Sequence, residues 1–398
     1  MKKSVSIIGG GPAAMMLAAK LDSKKFTVSI YEKNNALGRK FLVAGKGGFN
    51  LTHREELEVF VGRYHPNYFL KQAVSDFSNV DLQKWLKELG IDTYAGTSNR
   101  IFPVKGTKPI EVLNSILNAI ENNKVTVCTG YKWVGFANDN SLIFESKNQI
   151  KNVNSDIVVF ALGGASWKIT GSDGTWLDYF MKRGITCLPF EASNCGYKIN
   201  WPSGIIEKLE GKALKNCQFK SGVTSHAGEA VITSLGIEGS GVYPLGYEIR
   251  KQLSEKNKAE LLIDLKPQNT LEEIRLKLAN RKNVSLTRYL EKDMNLGETK
   301  TLLLKSLLSK ENFTDNKMLA AKIKSLPIEV TGLAPIDEAI STVGGVSLKE
   351  IDDHYQLKKI PNHFVIGEML DWDAPTGGYL LQACFSMGNN LAHYLNKN

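Results

Sequence analysis

A parallel, doubly wound α/β fold interrupted by an insertion is what this chain predicts, and three observations predict it. The chain opens on a strand, helix, strand unit of about 30 residues, the length that a parallel crossover needs. The run DIVVFALGG, from Asp156 to Gly164, is continuously apolar and stops on glycines, as a central strand buried on both faces does. From about Cys187 to Pro335 the texture changes, and after Pro335 strand and glycine patterns return.

Each element has its own signal. KSVSIIGGG gives a β-branched strand from about Ser4 to Ile8, PAAMMLAAKL a helix with no breaker after Pro12, and FTVSIYEK a strand from Phe26 to Lys33. In DLQKWLKELG, Leu82, Trp85, Leu86 and Leu89 fall at helical spacing, with Asp81 expected to cap the start and Gly90 the end. KPIEVLNSILNAIE marks another helix. VTVCTGYKWVGF and SLIFE read as antiparallel strands split by ANDN. Inside the insertion, short Gly- and Ser-rich strands give way to lysine-rich helices, one opening on the capping box Thr270 to Glu273.

The expected division is therefore 1–188 and 336–398 for the two parts of one domain and 189–335 for the insertion, its β part at about 189–265 and its helical part at about 266–330.

Composition narrows the function classes. The chain has 398 residues, 42% hydrophobic and 23% charged, the balance of a globular protein of about two or three domains. No run approaches the roughly 20 apolar residues of a membrane helix. The opening MKKSVSIIGGGPAAMMLAA imitates a short signal peptide, but GGGP breaks its apolar core and the strand that follows ties it to the fold. Five scattered cysteines without a C-x-x-C pair fit a reducing cytoplasm, and six histidines without a ligand-like spacing give no metal signal. The charge of +9 raises nucleic acid as a partner, yet the lysines are spread among acidic residues, and no dedicated basic patch stands out.

The chemistry concentrates at the glycines. Gly9, Gly11 and Ala14 fit G-x-G-x-x-A between a strand and a helix: Gly9 for the tight turn, Gly11 for close approach of a diphosphate, Ala14 for packing of helix on strand. Pro12 and Ala13 open the helix, whose first N–H groups and partial positive charge face that diphosphate. Glu32 ends the second strand at roughly the 20-residue distance where a carboxylate accepts from an adenosine ribose, and Lys33 follows it. These features point to a dinucleotide. The late stretch GEMLDWDAPTGGYLLQACFSMG, with Glu368 and a helix led by Gly377, Gly378 and Tyr379, supplies the second element that a ribitol and an isoalloxazine ring need, so FAD is favoured over NAD. A helix start there would place a positive dipole where a flavin gathers negative charge on accepting a hydride.

Through GGGPAA, GRKFLVAGKGGFNLTH, RIFPVKG, ALGGASWKITGSDG, AISTVGGVSLKEID and GEMLDWDAPTGGYLLQACFSMG, the chain resembles the bacterial family of NAD(P)/FAD-dependent oxidoreductases that includes aminoacetone-oxidase-like and bile-acid-reductase-like flavoproteins. The resemblance covers nearly the whole chain and implies a glutathione-reductase-like FAD-binding Rossmann domain carrying an inserted β subdomain and a helical subdomain. It further implies Arg39 and Lys40 beside the phosphates, Asn50 and Leu51 near the flavin, Gly163 and Gly164 at the end of a strand beneath it, and Gly345, Val346, Glu368, Gly377, Gly378 and Tyr379 along the ribitol and ring. Where many members read G-R-C-N, this chain reads Gly47, Gly48, Phe49 and Asn50, which excludes a thiol or guanidinium there.

The expected function is an FAD-dependent oxidoreductase moving a hydride between flavin and a small organic substrate or NAD(P)H. The alternative is a flavin-dependent protein that modifies or binds nucleic acid such as tRNA. No second strand, G-x-G-x-x-G, helix unit announces a dedicated NAD(P)H domain, since GIEGSG from Gly236 to Gly241 lacks both flanking elements; either the substrate reduces the flavin, or NAD(P)H docks transiently against the flavin face as the donor. Arg100, Lys168 and Tyr243 are candidates on the substrate side, the first to orient a carboxylate and the others to move a proton.

Overall fold

A computed structural model describes residues 1–43 and 49–398. The chain divides into two units, Met1–Glu191 with Ile340–Asn398, and Ala192–Ala339.

The first unit is built on a parallel five-stranded sheet in the order His363–Val365, Ile157–Phe160, Lys3–Ile8 (β1), Phe26–Glu32 (β2) and Thr126–Thr129. The helix Pro12–Lys20 (α1) connects β1 to β2, the crossover expected of a Rossmann-type fold. Ile157–Phe160 lies between β1 and an outer strand and is buried along its length, which is why its sequence does not alternate. The C-terminal helix, Tyr379–Lys397, packs on α1 through Gly388: a β-carbon there would lie 2.5 Å from the Ala13 carbonyl oxygen. Its residues Met387, Leu391 and Leu395 are buried at the spacing that the sequence shows.

Two local expectations change. VTVCTGYKWVGF is two strands, because Thr126–Thr129 joins the parallel sheet beside β2 and the chain turns at Gly130 before Lys132–Phe136. Only the second pairs antiparallel with Leu142–Ser146, which pairs in turn with Gln149–Val153. The helix Asn79–Glu88 is capped by Ser78 rather than Asp81; Asp81 is the reciprocal partner three residues in, its carboxylate accepting from the Ser78 N–H.

The second unit has its own core around a seven-stranded antiparallel sheet, in the order Leu326–Val330, Ala259–Asp264, Ala213–Ser221, Thr224–Ile232, Gly236–Glu238, Tyr197–Lys198 and Gly332–Leu333. Helices including Leu271–Ala279, Gly297–Leu307 and Asn316–Lys324 accompany it. Thr270 caps the first of these in a reciprocal box with Glu273. Leu326–Val330, inside the stretch read as helical, returns to the sheet edge beside Ala259–Asp264. Among the described residues, no helix is long and apolar enough to cross a membrane.

Candidate functional site

The first unit holds a cleft of about 1050 Å³, open to solvent, at the carboxyl ends of its parallel strands. Its floor is the turn after β1. Gly9 has φ +102°, and a β-carbon there would lie 2.4 Å from the Ala161 carbonyl oxygen, so only glycine fits. Gly11 is different: its backbone is extended, and a β-carbon would meet no heavy atom within 4 Å. No side chain caps α1, and no acidic residue sits in its first turn. The N-terminus of α1 therefore presents free N–H groups to open space. Ala14, fully buried, lies beneath.

One wall descends from β2. The Glu32 carboxylate accepts from the Gly10 N–H at 2.9 Å, from the Asn34 N–H at 2.8 Å and from the Asn34 side-chain amide at 2.7 Å. It thus fixes the glycine turn while lining the cleft. Lys33 pairs with Asp173 at 2.7 Å, and Arg39 donates to the Asn34 side-chain oxygen and to the Ile169 carbonyl. Burial alone would push the Asp173 carboxyl up, but the Lys33 ammonium and the Thr175 donors outweigh it and hold it below the ordinary range.

The opposite wall joins both ends of the chain. Lys40 reaches Glu368 at 2.8 Å and Ser166 at 2.9 Å, while Glu368 also accepts from the Thr342 N–H. Gly164 has no room for a side chain, since a β-carbon would lie 2.0 Å from the Thr342 hydroxyl. Burial and the neighbouring Glu368 push the Cys384 thiol to about 12, so it lines the cleft as a neutral wall and not as a nucleophile.

Of the expected residues, Gly9, Gly11, Pro12, Ala13, Glu32, Lys33, Arg39, Lys40, Gly163 and Glu368 line this cleft. Gly345 and Gly378 owe their glycine to packing: both have positive φ, and β-carbons would overlap the Met369 carbonyl at 2.2 Å and the Thr52 backbone at 2.5 Å. Tyr379 begins the C-terminal helix and is buried. Leu51 is fully buried and Asn50 half-buried; Gly47 and Gly48 lie outside the described residues.

Arg100 lies at the helix entrance, its Nε 3.5 Å from where a Gly377 β-carbon would be. Lys168 is exposed on a short 3-10 turn and does not line the cleft. Tyr243 belongs to the second unit, where burial and Glu238 push its phenol to about 12.

Sequence reasoning missed an aromatic wall of Tyr31, Tyr131, Trp133, Trp176 and Tyr179. Tyr131 and Trp133 stand two apart in a strand-forming stretch, a spacing that could have placed them on one face. The Trp133 indole N–H is buried without a hydrogen-bond partner.

The residues fit a dinucleotide. An open β-carbon position at Gly11, an uncapped helix start behind it, cations at Lys33, Arg39, Lys40 and Lys132 against acids at Glu32, Asp173 and Glu368, and an aromatic wall of edge-on rings suit a diphosphate joined to planar rings.

Comparison with known proteins adds the relationships. The model of the HI0933-like protein Rossmann domain matches residues 3–394. The chain is 23% identical to the 3-dehydro-bile acid delta(4,6)-reductase of Clostridium scindens, over 96% of this chain and 97% of the relative. It is 25% identical to the ribosomal RNA dihydrouridine synthase of Escherichia coli, over 96% of this chain and 94% of that one. The solved structure of 3-ketosteroid-delta4-(5alpha)-dehydrogenase from Rhodococcus jostii RHA1, in complex with 4-androstene-3,17-dione, shares the fold with a TM-score of 0.52 and 13% identity, covering 100% of this chain and 97% of its own.

Proposed function

The chain belongs to the HI0933-like Rossmann-domain family, and from that premise we propose that it is an FAD-dependent oxidoreductase whose flavin exchanges a hydride with a small organic substrate. The observation that carries this reading is the cleft in which Gly11 leaves open the space that a diphosphate would take. When bound, FAD supplies a ring that takes up and returns two electrons.

In this reading Gly9, Gly11 and Ala14 shape the turn, and the N–H groups behind Pro12 and Ala13 donate to the diphosphate. Glu32 keeps acceptor capacity for the ribose while holding Gly10 and Asn34. Lys33, Arg39 and Lys40 offset the phosphate charge. Glu368, set by Lys40, faces the ribitol. Gly163, Gly164 and Gly345 keep the strand ends close, and Asn50, Leu51, Gly377, Gly378 and Tyr379 border the ring.

The substrate class follows from chemistry common to the relatives. By their names, one reduces the delta(4,6) positions of a 3-dehydro bile acid and the other converts uridine to dihydrouridine. Both bonds are carbon–carbon double bonds conjugated with a carbonyl, so we assign this chain the reduction of such a bond, adding a hydride to one carbon and a proton to the other.

The test is direct. The purified protein is expected to be yellow, or to become so with FAD; colourless protein that takes up no FAD overturns the reading. NADH and NADPH, added anaerobically, ask whether a nicotinamide bleaches the flavin. Cyclohex-2-enone, added next as the simplest conjugated probe, is expected to restore the colour. Restoration by a uridine-containing RNA alone would instead favour the nucleic-acid reading, and binding of that RNA would then weaken steeply with salt.

A further inference from the structure

A second groove opens in the first unit, and it shares no lining residue with the glycine-floored cleft. It has a volume of about 1930 Å³, is open to solvent, and lies among the helix Asn67–Asp76, the last turns of the C-terminal helix and the turn from Asp352 to Tyr355.

Tyr355 is the residue that sets this groove apart. The turn is framed by a bridge between Ile351 and Leu357, and Tyr355 ends it at φ +68°, a left-handed backbone that glycine or asparagine usually takes and that a bulky side chain strains. The residue is only 4% exposed, and its ring packs edge-on to Phe69 with centroids 6.1 Å apart. That packing explains the ring. It does not explain the hydroxyl, because phenylalanine would fill the same space with no polar atom to satisfy. Among the described residues the hydroxyl has no hydrogen-bond partner, and it is not sealed inside the protein: it meets the groove. A strained backbone thus holds an unpartnered hydroxyl at the groove surface.

What can serve that hydroxyl is set by its neighbours. Burial, and then the nearby charge of Asp76, push the Tyr355 phenol above its ordinary range, so the phenol keeps its proton. The Asp76 carboxylate accepts from the Gln72 amide at 2.7 Å and from the Asn390 amide at 2.9 Å, and no cation pairs with it among the described residues. Two neutral donors fix the carboxylate but leave its charge uncancelled and a lone pair on each oxygen. The turn adds two more acids. Asp352 uses one oxygen on the His354 and Gln356 N–H groups, while Asp353 has no hydrogen-bond or ion-pair partner among the described residues.

Against these three carboxylates the groove sets two ammoniums, Lys349 and Lys397, in a chain whose net charge is +9. An acidic groove on a basic chain selects cations. A metal ion is a poor match, since among the described residues no group of three His, Cys, Asp or Glu side chains converges to hold one. The walls are instead aromatic: Tyr68, which is 72% exposed, and the His354 ring lying flat on Tyr394 with centroids 4.0 Å apart. Carboxylates between aromatic faces suit an organic ammonium ion.

We propose that this groove is a second ligand site, for an alkyl polyammonium ion. One ammonium donates to the Asp76 carboxylate and to the Tyr355 hydroxyl oxygen, the hydrocarbon chain lies along the Phe69 and Tyr68 rings, and a further ammonium meets Asp353. Nothing in this binding depends on the flavin, so the two sites stand or fail separately.

The probe is spermidine, titrated calorimetrically into the full-length protein as purified, with magnesium ion as a bare charge and hexane-1,6-diol as a bare chain. Spermidine should saturate a single site per chain, and neither control should. No saturation by about 10 mM, or equal binding of either control, overturns the proposal. Tyr355→Phe and Asp76→Asn should each weaken spermidine about tenfold or more, the effect of losing a hydrogen bond to a charged group, and a change under about threefold in either overturns it. The ligand-free Tyr355→Phe protein should unfold at the parent's temperature or above, because the hydroxyl it lacks had no partner to lose. A lower unfolding temperature would show that the hydroxyl is kept for structure, and would overturn its role as a ligand group.

Discussion

Two glycines two residues apart should fail in opposite ways. Gly9 has φ +102°, and an added β-carbon would stand 2.4 Å from the Ala161 oxygen and 2.9 Å from its carbon, both backbone atoms just past the end of the neighbouring strand Ile157–Phe160. Gly9→Ala therefore combines left-handed backbone strain, about 1–2 kcal/mol, with an overlap that only backbone movement relieves, about 1–3 kcal/mol. Gly11→Ala meets nothing within 4 Å and keeps an extended backbone at φ −82° and ψ −179°. Losing glycine's unfolded-state freedom stabilises by about 0.4–1 kcal/mol, and alanine is poorer at a helix N-cap by a similar amount, so the apoprotein should be nearly unchanged. The cost appears with the ligand: a methyl in the diphosphate's space is an overpacking of about 1–3 kcal/mol, or roughly 5- to 150-fold in FAD affinity. Thermal unfolding of the flavin-free proteins measures the first effect, and quenching of flavin fluorescence measures the second. Unchanged FAD affinity in Gly11→Ala, or an apoprotein destabilised as much as Gly9→Ala, would refute the assignment of that space.

Two further outcomes are expected. Gln382 is fully buried, with Thr52 donating to its oxygen at 2.8 Å and its amide donating to the Phe77 carbonyl and to Ser386. Gln382→Leu leaves the Thr52 hydroxyl without its acceptor and should cost about 1–3 kcal/mol by urea unfolding; a neutral result would mean that the chain of bonds contributes nothing. Asp173 has its folded-state pKa held below the ordinary value by Lys33, so its stabilisation is full above the unfolded pKa and lost as pH falls through the folded one. Asp173→Asn should therefore flatten the acid limb of stability below about pH 4, and an acid limb as steep as the parent's would remove Asp173 as its source.

What the sequence made legible was local. The strand, turn, helix, strand unit, Glu32 at the end of β2, the capping box at Thr270 and the buried stripe of the last helix each depend on residues within one or two turns of one another. What escaped was set by distant partners. Thr126–Thr129 joins the sheet through β2, about a hundred residues earlier, and nothing in VTVCTG records that pairing. Ser78 and Asp81 both suit a cap, and only their reciprocal bonds show which residue opens the helix. Glu32 was legible as an acid at the right distance; that it also holds Gly10 and Asn34 depends on the path of the loop. Arg63 and the Tyr379 hydroxyl both donate to Glu55, and the Tyr379 ring stacks on His53; these residues come from three separate stretches, and no spacing rule connects them.

The last helix is fixed by backbone contact, and that decides what its entrance can do. Besides its buried side chains, backbone meets backbone closely at two glycines: Gly388, whose missing β-carbon lets the Ala13 carbonyl approach, and the N-cap Gly378, which packs on the Thr52 backbone. Glycine inside a helix costs about 1 kcal/mol relative to alanine, so Gly388 is retained against propensity. The gain is position. Backbone against backbone leaves no rotamer to relax, and the buried bonds from Gln382 to Thr52 and Phe77 lock the same turn from its polar side. A helix start held in this way keeps its N–H groups and partial positive charge aimed at one point, with no reorganisation when charge develops there. The same contact places His53 one residue beyond Thr52, with its ring stacked on Tyr379. A mobile entrance would have to be ordered anew with each substrate; this one is ordered by folding.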